Sequence, residues 1–119
     1  MSVQPGTVLI VEDDAGVSRA LSRAVRSLGF EVATFGTGEE LLESRISDHP
    51  AVLLLDLHLP GLSGAELITK LGLRAPQLRI IVMTGRDIGG AREACLAAGA
   101  ASYIKKPIAR SDLAELLEG

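Results

Sequence analysis

The sequence contains few of the residues that cross-link a protein or anchor it in a membrane. It has no tryptophan, a single cysteine (Cys95) and an aromatic content of only 3%. One cysteine excludes an internal disulfide framework, and its Ala-rich helical surroundings favour a buried thiol over a reactive one. No apolar run approaches the roughly 18 residues of a membrane span, and no signal peptide is recognisable. We therefore expect a cytoplasmic location.

The charge balance also lacks the basic excess of a protein that binds nucleic acid or an anionic membrane, since the formal net charge is −3. Hydrophobic residues make up 47% of the 119 residues, so aliphatic side chains can build a core. This length predicts one domain over residues 1–119, with residues 1–6 as a disordered lead.

Short apolar runs alternate with stretches of helical character. The predicted strands cover residues 7–11, 31–35, 52–55, 79–83 and 101–104. Helical spacing predicts that Val17 and Val25 lie on the inner face of the first helix, and that the second helix extends past Ile46. Thr37 and Glu40 have the spacing of a capping box at its start. Strand–helix alternation with crossovers of this length predicts an α/β fold with a five-stranded parallel sheet, since the helices cover both faces.

Polar residues stand where these strands end. Glu12 and Asp13 follow the first strand, Asp56 the third, Thr84 the fourth and Lys106 the fifth. The carboxyl ends of parallel strands lie along one edge of a sheet, and ligands bind there in doubly wound folds. With the flavodoxin-like strand order 2-1-3-4-5, these five side chains should meet.

The residue types at this edge suit phosphoryl chemistry. Three crowded carboxylates need a cation, and hard oxygen ligands in a loose cluster suit Mg²⁺. Lys106 and the hydroxyl of Thr84 would face anionic oxygens, so Asp56 could attack phosphorus and hold an acyl phosphate. Taken singly, the acids also fit solvated loop residues, the threonine a cap and the lysine a turn. Their joint arrangement favours the functional interpretation.

The motifs resemble those of the receiver domains of bacterial two-component response regulators, including the FixJ-like branch. The resemblance extends from Val8 to about Leu117 and implies the flavodoxin-like (βα)₅ fold. It rests on the segments VEDD (11–14), LDLHLPGLSG (55–64), MTG (83–85) and YIKKP (103–107).

This resemblance implies a role for each site residue. Asp56 would accept a phosphoryl group from a cognate histidine kinase or phosphotransfer protein. Asp13 and Asp56 would bind Mg²⁺ directly, Glu12 through water, and His58 through its backbone carbonyl. Lys106 rather than Lys105 would hold a phosphoryl oxygen.

The resemblance also implies a conformational switch. Thr84 would turn toward the phosphoryl group and Tyr103 would swing inward, which would change the face made by the last two helices and the fifth strand. That face could support a phosphorylation-dependent homodimer. We expect no direct nucleic-acid binding by this domain, and its activity would be limited to self-phosphotransfer and autodephosphorylation. Met1 and the short last helix suggest an amino-terminal receiver cut from a longer regulator.

His58, two residues after Asp56, and Arg86, two residues after Thr84, should border the phosphoryl group and tune its lifetime. His58 could equally be a solvated loop residue. A competing function is a Mg²⁺-dependent phosphatase or phosphotransferase of the haloacid-dehalogenase type, but such enzymes need a second Asp where this chain has His58. A third possibility is a pseudo-receiver that is never phosphorylated.

Overall fold

The fold alternates strands and helices from one end of the chain to the other. The computed structural model describes residues 7–44, 52–57, 64–86 and 89–118. The strands are β1 (Val8–Val11), β2 (Val32–Phe35), β3 (Val52–Asp56), β4 (Arg79–Thr84) and β5 (Ser102–Lys105). The helices are α1 (Ala15–Ser27), α2 (Gly38–Glu43), α3 (Gly64–Arg74), α4 (Ala91–Ala98) and α5 (Arg110–Glu118).

All neighbouring strands pair in parallel, in the order β2-β1-β3-β4-β5. The predicted flavodoxin-like fold and strand order are therefore confirmed. Val11 lies beside Leu55, and Asp56 lies beside Met83. The ends of β1 and β3 are thus neighbours at the switch point in the strand order, where this fold class places its ligands.

The sheet is covered on both faces, which explains why β3 and β4 are almost continuously apolar. Alternate residues of the strands pack into two separate cores. One core is shared with α2, α3 and α4 and includes Leu41, Leu67, Ile68, Leu71 and Cys95. The other is shared with α1 and α5 and includes Val25, Leu113 and Leu117. Cys95 is buried, as predicted.

Two sequence-based predictions about helices were wrong. Val17 is 40% exposed because it borders a groove between α1 and α5 instead of packing in the core, while Ser22 is buried. The second helix is shorter than predicted: α2 ends at Glu43 and the backbone of Ser44 is extended, while Ile46 lies outside the described residues. The Ser44 hydroxyl donates to the carbonyl of Leu41, which helps to satisfy the end of the helix.

Side chains cap the starts of α1 and α2. Asp14 is the N-cap of α1 and accepts from the backbone N–H of Val17 at 3.0 Å. Thr37 accepts from the N–H of Glu40 at 3.1 Å, and the Glu40 carboxylate in turn accepts from Gly36 at 3.1 Å. The predicted capping box of α2 is therefore confirmed.

Arginine side chains hold α5 against the rest of the molecule. Arg110 donates from Nε to the hydroxyl of Ser27, at the end of α1, over 3.1 Å. Arg79, at the start of β4, donates to the carbonyl of Leu116 in the last turn of α5. Among the helices described, no apolar stretch is long enough to cross a membrane.

Candidate functional site

Three carboxylates meet where β1 and β3 end. Oxygen atoms of Glu12, Asp13 and Asp56 lie within 4.8 Å of one another. The Glu12 backbone N–H donates to Phe35 at 3.0 Å, which extends the pairing of β1 by one residue and fixes this carboxylate at the sheet edge. Glu12 and Asp56 are only 4% and 5% exposed, whereas Asp13 is exposed. Two of the three carboxylates are therefore shielded from water, and the third opens to it.

Lys106, which follows β5, brings a positive charge to this cluster. Its backbone N–H donates to the carbonyl of Thr84 at 2.7 Å, which places the residue directly after β5. Its Nζ atom lies 2.6 Å from Oε1 of Glu12 and 3.5 Å from Oδ1 of Asp56. Within the described ranges, these contacts are the ion pairs of the chain. The lysine thus bridges two buried carboxylates.

The burial of this network shifts its protonation equilibria. Burial, reinforced by a hydrogen bond to Asp56, raises the pKa of Glu12 above its ordinary value, although Lys106 acts in the opposite direction. Burial lowers the pKa of Lys106, but its hydrogen bond to Glu12 and the charges of Asp56 and Glu12 outweigh that effect, so the pKa is raised. Lys106 therefore stays protonated, and the carboxylates gain from any further cation.

The hydroxyl of Thr84 is closed onto the loop that follows β4. Thr84 is fully buried, and its Oγ1 atom accepts from the backbone N–H of Arg86 at 3.0 Å and donates to the Arg86 carbonyl. The side chain of Arg86 is exposed. Thr84 and Arg86 were both predicted to lie near Asp56. The pairing of β3 with β4 puts the end of β4 next to Asp56.

Tyr103 lies on β5, opposite Val82 of β4. Its side chain is half-buried against the core formed with α2, α3 and α4, and its hydroxyl is covered. The aromatic side chain therefore reaches the sheet face that α4 covers. His58, together with the turn through Pro60 and Gly61, lies outside the described residues.

The close approach of Gly64 to Leu57, the residue after Asp56, was not apparent from the sequence. A Cβ atom on Gly64, the first residue of α3, would stand 2.7 Å from Cδ1 of Leu57 and 3.9 Å from the thiol sulfur of Cys95. Leu57 follows Asp56 directly, and its N–H donates to Met83 at 2.9 Å. A larger residue at position 64 would require the Leu57 side chain to move, so the glycine ending the LDLHLPGLSG segment was the available signal.

The side chains at this edge fit a divalent cation of the Mg²⁺ type. All three clustered acids offer hard oxygen ligands, and one of them opens to solvent, as suits an ion that keeps several waters. A cation there would also reduce the cost of burying Glu12 and Asp56.

Comparison with known proteins gives a consistent result. The "Response regulator receiver domain" family model matches residues 8–118. The DNA-binding transcriptional regulator NtrC of Escherichia coli K12 is 34% identical over 116 residues, which is 98% of this chain but 25% of NtrC. The chain therefore spans about a quarter of the length of that curated relative.

Solved structures agree with this match. The FixJ-N crystal structure has a TM-score of 0.82 and 30% identity, over 99% of this chain and 93% of that one. The receiver domain of the sensor histidine kinase PA1611 from Pseudomonas aeruginosa PAO1 has a TM-score of 0.80 and 29% identity, over 95% and 94% of the two chains. That structure is described with a magnesium ion in its active-site cleft.

Proposed function

The chain belongs to the response regulator receiver domain family, and from this membership we propose that Asp56 accepts a phosphoryl group from a histidine kinase or a phosphotransfer protein. The observation that carries the proposal is the position of Asp56. It is a buried carboxylate within 4.8 Å of two others, and its Oδ1 atom lies 3.5 Å from the Lys106 ammonium. A nucleophile, a cation site and a fixed positive charge therefore share one sheet edge.

Glu12, Asp13 and Asp56 would hold Mg²⁺, with the His58 carbonyl as the further protein ligand that the family resemblance implies. When bound, the ion would neutralise charge on the carboxylates and on the incoming phosphoryl oxygens. The fit of the residues and the magnesium-bound receiver domain of PA1611 support this part of the proposal.

The transfer step needs only Asp56 as a nucleophile. A carboxylate oxygen attacks phosphorus, the bond between phosphorus and the donor nitrogen breaks, and the electron pair of that bond leaves on the donor imidazole. Lys106 would exchange its contact with Asp56 for one with a phosphoryl oxygen, because its ammonium already lies between the two buried acids. Water would later attack phosphorus, the bond between phosphorus and the Asp56 oxygen would break, and inorganic phosphate would leave the regenerated carboxylate.

We propose that phosphorylation then changes the surface made by α4, β5 and α5. Thr84 would leave its hydrogen bonds to Arg86 and turn toward the phosphoryl group. Tyr103, on β5, would adjust with the loop and α4. The altered surface would regulate an output domain or partner, or form a phosphorylation-dependent homodimer.

This function makes the chain a cytoplasmic signalling switch, whose only catalysis is its own phosphorylation and dephosphorylation. The most direct test incubates the protein with Mg²⁺ and acetyl phosphate and measures the mass and chemical stability of the product. We expect one added phosphoryl group, stable to acid and labile to base, in the wild type. Asp56→Asn should gain none, and the exposed control Asp112→Asn should react like the wild type.

Other outcomes would contradict the proposal in distinct ways. Sustained turnover of added phosphate monoesters would favour the phosphatase of the haloacid-dehalogenase type. A folded wild type that gains no phosphate from acetyl phosphate or from any phosphohistidine donor, and that does not bind beryllofluoride, would be a pseudo-receiver.

A further inference from the structure

A polar cavity lies between α1 and the edge strand β2. Its volume is about 290 Å³. The residues around it are Ser18, Arg19, Ser22, Arg23, Arg26 and Thr34. The lining therefore offers guanidinium and hydroxyl groups and no acidic side chain. None of these residues belongs to the site around Asp56.

The cavity is also separate from the Asp56 site in the fold. The helix α1 starts at the carboxyl edge of the sheet and runs back against the strands, so each turn after Asp14 lies farther from that edge. Arg26 is in the last turn of the helix. Thr34 pairs with Ile10 inside the sheet, not at its end. A ligand in this cavity would thus leave the carboxylates accessible.

The arginines give the cavity a concentrated positive charge. Arg19, Arg23 and Arg26 are spaced four and three residues apart, which puts them on one face of α1. In the parts of the chain that the structure describes, none of the three guanidinium groups makes an ion pair or a hydrogen bond. Like charges at this spacing destabilise a helix. A negative ligand would reverse that effect, in a protein whose formal net charge is −3.

Ser22 supplies an independent sign of a missing partner. It lines the cavity, is only 5% exposed, and its hydroxyl has no hydrogen-bond partner among the described residues. A buried hydroxyl without a partner is destabilising, so native structures rarely keep one without a reason. A ligand oxygen that reached the floor of the cavity would accept its hydrogen.

We propose that this cavity binds a small molecule through a phosphate group. Guanidinium groups recognise phosphate by paired hydrogen bonds, and the hydroxyls of Ser18, Ser22 and Thr34 add neutral donors. The tetrahedral oxygens of phosphate can reach donors on the helix and on the strand together. The concave shape and small volume favour a compact ligand over a protein surface.

Inorganic pyrophosphate is a suitable probe, titrated into the ¹⁵N-labelled protein in metal-depleted buffer at moderate chloride concentration. Without a divalent cation, the clustered carboxylates at the other site should repel this anion. We expect saturable chemical-shift changes that are centred on the backbone amides of residues 18–26 and Thr34.

The variant Arg19→Gln/Arg23→Gln/Arg26→Gln should weaken binding at least about tenfold, since it removes the charged hydrogen-bond donors of the cavity. A charge-matched control, Lys70→Gln/Arg74→Gln/Arg92→Gln, removes three positive charges from α3 and α4 and should change the affinity less than about twofold. Ser22→Ala should weaken binding without lowering the free energy of unfolding, because it removes an unpaired hydroxyl.

The proposal would be overturned by shifts that never saturate, or by equal losses of affinity in the two triple variants. Tighter binding of a polyglutamate peptide than of pyrophosphate on the same amides would also overturn it, in favour of an acidic protein partner. Acetyl phosphate labelling of Asp56 should be unaffected by the arginine substitutions, which separates this test from that of the proposed function.

Discussion

The ammonium group of Lys106 lies closer to Glu12 than to Asp56, at 2.6 Å against 3.5 Å. The side chain of Glu12 is 2% exposed, so the lysine compensates a carboxylate that water does not reach. The same ammonium stays near the proposed nucleophile. One residue therefore stabilises the unphosphorylated site and stands ready for an incoming phosphoryl group.

This pairing predicts a measurable coupling between Lys106 and Glu12. Lys106→Met should lower the free energy of unfolding by about 1–3 kcal/mol, because it leaves the buried Glu12 carboxylate without its cation. In the double variant with Glu12→Gln, most of that loss should disappear. Urea unfolding of the four proteins measures the coupling energy. Lys105→Met, on the exposed neighbour, is the control, and an equal loss in both lysine variants would contradict the prediction.

The raised pKa of Glu12 predicts a specific pH dependence of stability. Because the pKa of Glu12 in the folded state is raised above its ordinary value of 4.5, the folded state binds the carboxyl proton more tightly than the unfolded state does. The contribution of Glu12 to the free energy of unfolding therefore falls as the pH rises from 4.5 through the folded-state pKa. Unfolding in metal-depleted buffer should show the wild type losing stability relative to Glu12→Gln over that range. The free energy of unfolding of the wild type minus that of Glu12→Gln should thus decrease with pH. A value that stays constant or increases would refute the assignment.

Magnesium should stabilise the protein through the acidic cluster. A ligand at a hundred times its dissociation constant adds about 2.7 kcal/mol to the free energy of unfolding. We expect Mg²⁺ to raise the melting temperature of the wild type in a concentration-dependent way, and to have little effect on Asp13→Asn. Glu31→Gln removes an exposed acid outside the cluster and should respond like the wild type. An unchanged response of Asp13→Asn would exclude Asp13 as a ligand.

The lifetime of the acyl phosphate should depend on Arg86 and His58. Arg86→Ala removes an exposed side chain but keeps the backbone groups that bond Thr84, so it tests the side chain alone. We expect both Arg86→Ala and His58→Ala to change the autodephosphorylation rate by more than about twofold, because each alters the access of water to phosphorus. The decay of phosphorylated protein over time measures this rate. Smaller changes in both variants would show that neither side chain borders the phosphoryl group.

Two helical glycines should respond in opposite directions to alanine. At Gly38, a Cβ atom would lie 2.7 Å from Cδ2 of the buried Leu67, so Gly38→Ala should lower the free energy of unfolding by about 1–3 kcal/mol. At Gly72, an exposed position of α3, no other atom lies within 4 Å of an added Cβ. Gly72→Ala should therefore raise it by roughly 0.5–1 kcal/mol. Chemical denaturation distinguishes the two, and equal effects would contradict the packing at Gly38.

The sequence predicted the sheet well because its signals are strong and local. Buried parallel strands such as β3 and β4 are continuous apolar runs, and the polar residue that ends each run marks the functional edge. Asp14 and Thr37 cap their helices through short-range hydrogen bonds that the spacing already encodes. Such features do not depend on distant parts of the chain.

Other features depended on contacts between distant residues and could not be read from spacing. The ammonium of Lys106 lies closer to Glu12 than to Asp56, and this contact joins side chains from opposite ends of the chain. Helical periodicity placed Val17 inside, but Val17 borders an open groove between α1 and α5 and is 40% exposed. The early end of α2 followed from a hydrogen bond of Ser44, a residue with no strong signal of its own.

The contact of Leu57, Gly64 and Cys95 has a mechanical consequence. Leu57 follows the proposed phosphoacceptor, and a methyl group added at Gly64, the first residue of α3, would force the Leu57 side chain to shift. The thiol of Cys95, in α4, lies at ordinary van der Waals distance from the same point. Closely packed atoms transmit displacement instead of absorbing it. A movement of the backbone at Leu57 would therefore displace the start of α3 before it affects α4.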